Sequence, residues 1–533
     1  MNATKSLGLI AALAGVWTIQ PSLALAQKSG GILRSYEVSN PPSASILEEA
    51  TSATTHPFMA VFNNLVIFDQ AEPVNKPEVI RPELAESWTW DEPRTKLTMK
   101  LRQGVTWHDG KPFTSKDVKC TWDWTREADT KSGFRKNPRK LWWDNIKEIT
   151  VNGDHEVTFE LNRPQASLLT LMASGMSPVY PCHVPARIMR TKPIGTGPFR
   201  VVNFEANKFV RLEKNPNYWR PGRPYLDGLE FQIIGSRGTR LLAFAAGEID
   251  KTFVSDVTRP LLPDVQSRSP NAICEFAATG VSANLLVNRE KAPFDNPKLR
   301  EAMMLTLDRD AMVKIVSGGE ALIGGAMLPP PAGVWSKPVE EFKKLPSYAG
   351  SIEERRARAV KIMEELGYGP NNKLKVKVGT RDYQSYKDPA VLLVDHLNQI
   401  GFDAELEIIE TSLYYGRITR GDYQVALNLT GTGVDDPDVT MFEGYLSGSS
   451  RNYTNYSNPE VDKLIHAQSA ELDPEKRKEL VWQIEKILAE DVARPIIFQN
   501  RSATCWHPHV KGYVLHQNSI YNSWRFEDVW LDK

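Results

Sequence analysis

Beyond its first two dozen residues the chain has no run of 18 consecutive apolar residues, which excludes a membrane-spanning helix from that part. Charge of one sign is not in surplus. Lys and Arg number 65 and Asp and Glu number 65, so nothing favours nucleic acid or an anionic membrane surface as partner. Cysteine is scarce, at four: Cys120, Cys182, Cys274 and Cys505. No two have C-x-x-C spacing, which argues against a zinc or thioredoxin-like site. Four cysteines allow three pairings into two disulfides, and the sequence does not choose among them. Catalytic signatures are missing as well. There is no G-x-S-x-G, H-E-x-x-H or G-x-x-x-x-G-K-[ST], and Gly195-Thr196-Gly197 lacks the third glycine of a dinucleotide loop. The chain is therefore expected to have no catalytic residue, cofactor or metal site.

What is present begins at the N-terminus. Lys5 precedes an apolar run from Leu7 to Ile19, Pro21 breaks it, and Ala24-Leu25-Ala26 places small residues where a signal peptidase reads. This predicts a cleaved secretory signal over residues 1–26, its apolar core too short to span a bilayer. No cysteine stands directly after the cleavage site, the first being Cys120, so no lipid anchor is expected. The mature chain, from Gln27, should diffuse in a space confined by an outer membrane, the periplasm. Its length exceeds one hydrophobic core and predicts two or three domains.

The order of elements is mixed. Gly30–Val38 reads as a strand and Glu48–Phe68 as a helix. Between Ser87 and Leu101, Trp88, Trp90, Leu97, Met99 and Leu101 alternate with polar residues, a β pattern, and Ile146–Leu161 reads as a hairpin turning at Asn152-Gly153. The second half holds capped helices. Ser351 with Glu354 forms a capping box and Gly367 ends that helix; Asp388-Pro389 opens a second, closed by Gly401; Asp473-Pro474 opens a third. Strands Leu374–Val378, Ala404–Ile409 and Val425–Leu429 fall between them. A β-rich part followed by an α/β part predicts interwoven lobes with a ligand crevice at the carboxyl ends of the strands.

Several polar groups stand out. Asp435, Asp436 and Asp438 are spaced like metal or acid/base carboxylates, but Asp436 before Pro437 reads as a helix N-cap, which leaves Asp435 free to face the crevice. His507 and His509, flanking Pro508, read as structural. His56, after two threonines, faces either the crevice or solvent.

Five stretches together resemble the large peptide- and nickel-type solute-binding proteins of ABC transporters. They are RPELAESWTWDEPRTKLTMKLRQGVTWHDGKPFTSKD (Arg81–Asp117), GTGPFRVV with LEKNPNYWRPGRPYLD (Gly195–Asp227), LLAFAAGEID (Leu241–Asp250), VNREKAPFDNPKLREAMMLTLDRDAMV (Val287–Val313) and YSNPEVDKLIHAQSAELDPEKRKELVWQIEKILAED (Tyr456–Asp491). They occur in family order from end to end. The resemblance implies an α/β, two-lobed periplasmic binding protein fold (type II, cluster C-like) with a β-rich accessory domain. One lobe would comprise residues 27–67, 197–285 and 505–533, the accessory domain 68–196, and the second lobe 286–504. It implies a monomer that captures a small peptide-like ligand by hinge closure and delivers it to an inner-membrane permease with its ATPase subunits. Opines, oligosaccharides, nickel complexes and haem are the alternative ligands; an extracytoplasmic hydrolase is the alternative class.

In the dipeptide-binding members an Arg two residues before a Tyr grips the peptide carboxylate, which implies that role for Arg381 and Tyr383. An Asp three residues before a D-P-D-like stretch holds the peptide amine there; here the matching position is Gly433, and Asp435 is the expected substitute. Thr430-Gly431-Thr432-Gly433 should offer a small-residue loop with exposed amides. Tyr36 and His56 complete the expected ligand-binding set.

Overall fold

The structure is a computed structural model that describes residues 27–129 and 133–533. The expected signal, residues 1–26, lies outside the described residues. Three sheets organise the rest. The alternation around Leu97 and Met99 does form strands. Ala85–Trp90, Lys96–Leu101, Glu156–Leu161 and Ile146–Val151 make an antiparallel sheet in that order, with Gly153 in the left-handed turn between the last two. Its apolar face packs on helix Ser115–Thr125, where Trp122 meets Trp143 and Phe159 edge-on. The disulfide Cys120–Cys182 ties this helix to the loop that leads into the next sheet. That second sheet runs Phe199–Glu205, Phe209–Lys214, Gly228–Ile233 and Ile32–Glu37, the last pair parallel.

The third sheet follows the order Phe402–Ile409, Leu374–Arg381, Val425–Gly431, Ile273–Val287, Ile496–Trp506. Its first three strands are parallel, linked by helices Gln384–Asn398 and Thr411–Thr419. Their carboxyl ends, at Arg381, Ile409 and Gly431, therefore point the same way. Ile273–Val287 and Ile496–Trp506 are long antiparallel partners that run out of this sheet into the other lobe. There Lys251 and Val257 bridge to Trp506 and Ala503. Their register breaks between Ala278 and Ser282, and Gly280 adopts a left-handed backbone (φ 68°) at the break. A side chain there would lie 2.7 Å from the Asn518 carbonyl, so glycine is required on both counts. Cys274 and Cys505 are directly opposite on these strands and form the second disulfide. Separate buried clusters fill the five-stranded sheet and the remainder of the chain, as two lobes require.

Two expected elements differ. Glu48–Phe68 is not one helix. It contains a helix only over Ser52–Phe58, followed by a short 3-10 turn and the strand Val66–Phe68, which pairs with Ile80–Pro82. Pro57 removes a helix donor, and the buried Asn64 amide turns to the Glu83 carboxylate instead of continuing a helix. The second capped helix begins at Gln384, so Pro389 is interior and forfeits one backbone hydrogen bond. The other two caps form as expected: Ser351 accepts from the Glu354 amide, and Asp473 from those of Glu475 and Lys476.

The polar clusters that resemble sites are mostly structural. Asp436 caps helix Pro437–Gly444 and pairs in the interior with Arg477, which also reaches Asp438. His507 Nε2 meets the Phe244 carbonyl and His509 Nε2 meets Asp250 at 2.7 Å. Among the described residues no group of three His, Cys, Asp or Glu could hold a metal ion, and no helix is long and apolar enough to cross a membrane.

Candidate ligand-binding crevice

Arg381 is the last residue of a parallel strand, so the chain delivers its side chain to the carboxyl-end edge of the sheet. The residue is 5% exposed. Its Nε donates to Thr411 Oγ1 at 3.2 Å in its own lobe, and its Nη2 crosses to Ser39 Oγ at 2.9 Å, just beyond strand Ile32–Glu37 of the other lobe. Three tyrosine rings, of Tyr383, Tyr386 and Tyr415, lie within about 6 Å of its charge. Among the described residues no carboxylate lies within ion-pairing distance of it. A buried cation held only by neutral acceptors is incompletely compensated.

Around Arg381 opens a cavity of about 580 Å³, part of it continuous with solvent. Tyr383, Tyr386, Tyr415 and Gly431 border it from the parallel sheet, Thr51 and Phe253 from the opposite lobe, and Tyr521 from the C-terminal segment. Arg451 separates it from a second space of about 430 Å³, bordered by Thr430, Thr432, Glu443 and Arg494. Arg451 pairs with Glu443 at 2.6 Å. Arg494 donates through Nε to Asn284 Oδ1 at 3.0 Å and through Nη2 to Thr430 Oγ1. Behind them Arg139 is fully buried. Burial, with the neighbouring Arg451 charge, lowers its pKa to about 10.

The threonine–glycine loop thus divides between the two spaces, with Thr430 and Thr432 on one and Gly431 on the other. Gly433 faces neither. A Cβ there would stand 2.7 Å from the ring carbon Cη2 of Trp142, so the accessory domain's indole fills the place where a side chain would project. Asp435 does not replace it. Its carboxylate is turned to Asn518 and the Val334 backbone and borders neither space; burial and Asp436 raise its pKa to about 7. That shift has a testable sign. The folded protein holds the Asp435 proton more tightly than the unfolded chain, so this group supports folding below pH 4 and that support is lost as pH rises through 7. Asp435→Asn should be more stable than the parent at pH 8 and lose that advantage near pH 4. Parallel melting curves at the two pH values check this; a difference independent of pH would refute it.

Tyr36 and His56 border neither space. Both are fully buried behind the crevice rather than on it. Tyr36 donates to Asp256 at 2.7 Å, which Arg240 also grips, and His56 meets Glu37 inside a cage that includes Phe231, Phe253 and Trp524. Burial and then Lys251 keep His56 well below its ordinary pKa. Sequence reading missed Arg451, Arg494, Tyr386, Tyr415 and Tyr521. Tyr386 and Tyr415 carried a faint signal, each lying just after the carboxyl end of a predicted strand; the other three carried none.

Comparison with known proteins agrees with this geometry. Residues 79–452 match the family described as bacterial extracellular solute-binding proteins, family 5 Middle. The probable di/tripeptide-binding protein 5 of Pseudomonas aeruginosa is 27% identical, over 81% of this chain and 82% of its own. The periplasmic binding protein DppA of Helicobacter pylori, solved with the peptide STSA, superposes with TM-score 0.83 at 22% identity, covering 95% of this chain and 99% of its own. AgaA of A. tumefaciens R10, solved with agropinic acid, gives 0.82 at 20% identity, covering 94% and 99%. Two lobes joined by crossing strands, a crevice at the strand ends and a match over most of the chain lead to one conclusion: the protein belongs to the family 5 bacterial extracellular solute-binding proteins.

Proposed function

We propose that this protein is the solute-binding component of an ABC importer, capturing a small carboxylate-bearing, peptide-like ligand between its lobes and delivering it to a membrane permease with its ATPase subunits. The observation that carries the proposal is Arg381: a buried guanidinium in the crevice, touching both lobes, with neutral partners alone. A ligand carboxylate would supply paired, charge-assisted bonds in its place. The names of relatives support the class, since several are di-, tri- or oligopeptide-binding proteins. In this reading the lobes follow residues 27–67, 197–285 and 505–533 on one side and 286–504 on the other, with 68–196 as accessory domain. Strands Ile273–Val287 and Ile496–Trp506 act as the hinge. The protein acts as a periplasmic monomer.

The test is thermal unfolding of purified protein with a panel of di- and tripeptides, including acidic and N-acylated ones that carry net negative charge, beside mass spectrometry of small molecules that survive native purification. A ligand that binds only the folded state at 100 times its dissociation constant adds about 2.7 kcal/mol to stability. Stabilisation by a peptide that is recovered intact supports the proposal. Hydrolysis of the peptide, or no stabilisation by any member of the panel, would count against it.

A further inference from the structure

Charge around the crevice is lopsided. The two spaces on either side of Arg451 are bordered by three arginines, Arg381, Arg451 and Arg494, and among the described residues by one carboxylate, Glu443. Glu443 is already committed to Arg451. That leaves two guanidiniums without an acid partner, Arg381 on one space and Arg494 on the other, each residue 5% exposed. Both are held by neutral oxygens and amides, from Ser39 and Thr411 in the first case and Asn284 and Thr430 in the second. Among the described residues no carboxylate besides Glu443 borders either space to receive a ligand cation. Gly433 is closed by Trp142 and Asp435 is turned away. The Glu443 Oε1 atom is buried without a partner, so it is suited to a ligand hydroxyl or N–H in the space that Arg494 borders.

We infer that the ligand is a small organic dianion, one acid group held by Arg381 and the second by Arg494, and not a zwitterionic dipeptide. This rests on the crevice being the ligand site. Closing the lobes on two unpaired guanidiniums is unfavourable unless the ligand brings matching charge, and a free ammonium would meet a cationic surround.

Calorimetric titration of the whole protein, stripped of ligand by reversible unfolding, tests this with three probes of similar size. N-succinylalanine carries two carboxylates and no ammonium, N-acetylalanine one carboxylate and no ammonium, and Ala-Ala one of each. The expected order puts N-succinylalanine about tenfold or more tighter than either of the others. Arg494→Gln should erase that preference, and Arg494→Lys, which keeps the charge, should retain part of it. N-acetylalanine binding as tightly as N-succinylalanine, Ala-Ala binding tightest, or N-succinylalanine failing to bind would each overturn the dianion assignment. The crevice reading is judged separately: if Arg381→Ala leaves the affinity of whichever probe binds unchanged, the crevice assignment fails instead. Should Arg494→Gln not fold, the order of the three probes on the parent protein decides.

Discussion

Replacing Cys274 and Cys505 together by serine is expected to lower stability by up to about 5 kcal/mol, the chain-entropy value for so long a loop. The bridge closes 231 residues of sequence separation, against 62 for Cys120–Cys182. On the same relation the shorter loop is worth about 1 kcal/mol less. The longer bridge also sits where the effect should be felt. Its cysteines are cross-strand neighbours in the pair of strands that connect the lobes, with Cα atoms 4.1 Å apart. The strands remain hydrogen-bonded without it, so the native fold should survive while the unfolded chain gains freedom. Urea unfolding midpoints of the two double-serine variants check the prediction. The Cys274/Cys505 variant should fall further; an equal or smaller drop than in the Cys120/Cys182 variant would reject it.

The pairing itself was beyond sequence reading, because it depends on which of the late strands crosses to the first lobe. What the sequence exposed was local. Ser351 and Glu354, Asp473 and Pro474, and Asn152-Gly153 each act within one turn of chain, and each forms what its residue types favour. The alternation of Leu97, Met99 and Leu101 likewise decides which face is buried without reference to distant partners. Glu48–Phe68 failed largely for the opposite reason: Pro57 lies inside the segment, but strand Ile80–Pro82 and Glu83, which draw its second half out of a helix, are contained in no window over it.

The crevice divides along the same line. Arg381 was visible because it ends a legible strand and stands in a family motif. Asp435 looked equally placed, yet a difference of two residues after the same sheet turns it towards Asn518. For His56 and Tyr36, sequence cannot distinguish a crevice from a buried network that supplies its own partners, here Glu37 and Asp256. Arg451 and Arg494 become site residues only when helix Pro437–Gly444 and the start of strand Ile496–Trp506 come together beside Thr430.

Arg381→Ala should weaken binding of a carboxylate ligand by roughly 30-fold or more, since stranding a desolvated carboxylate costs about 2–5 kcal/mol. Arg381→Lys should recover only part, because an ammonium cannot make the paired contact. The ligand-free protein should respond differently. There the substitution removes hydrogen bonds to two hydroxyls, Ser39 and Thr411, but also an unpaired buried charge, so the urea midpoint should move little. The contact with Ser39 is the part that spans the lobes. Its loss should shift the unliganded molecule towards the open form, detectable as a larger radius of gyration by solution scattering. A structural arginine would give the reverse pattern: a large fall in stability with affinity preserved in whatever remained folded. Titration, unfolding and scattering on the same Arg381→Ala preparation separate the two, and unchanged affinity would remove this residue from the ligand site.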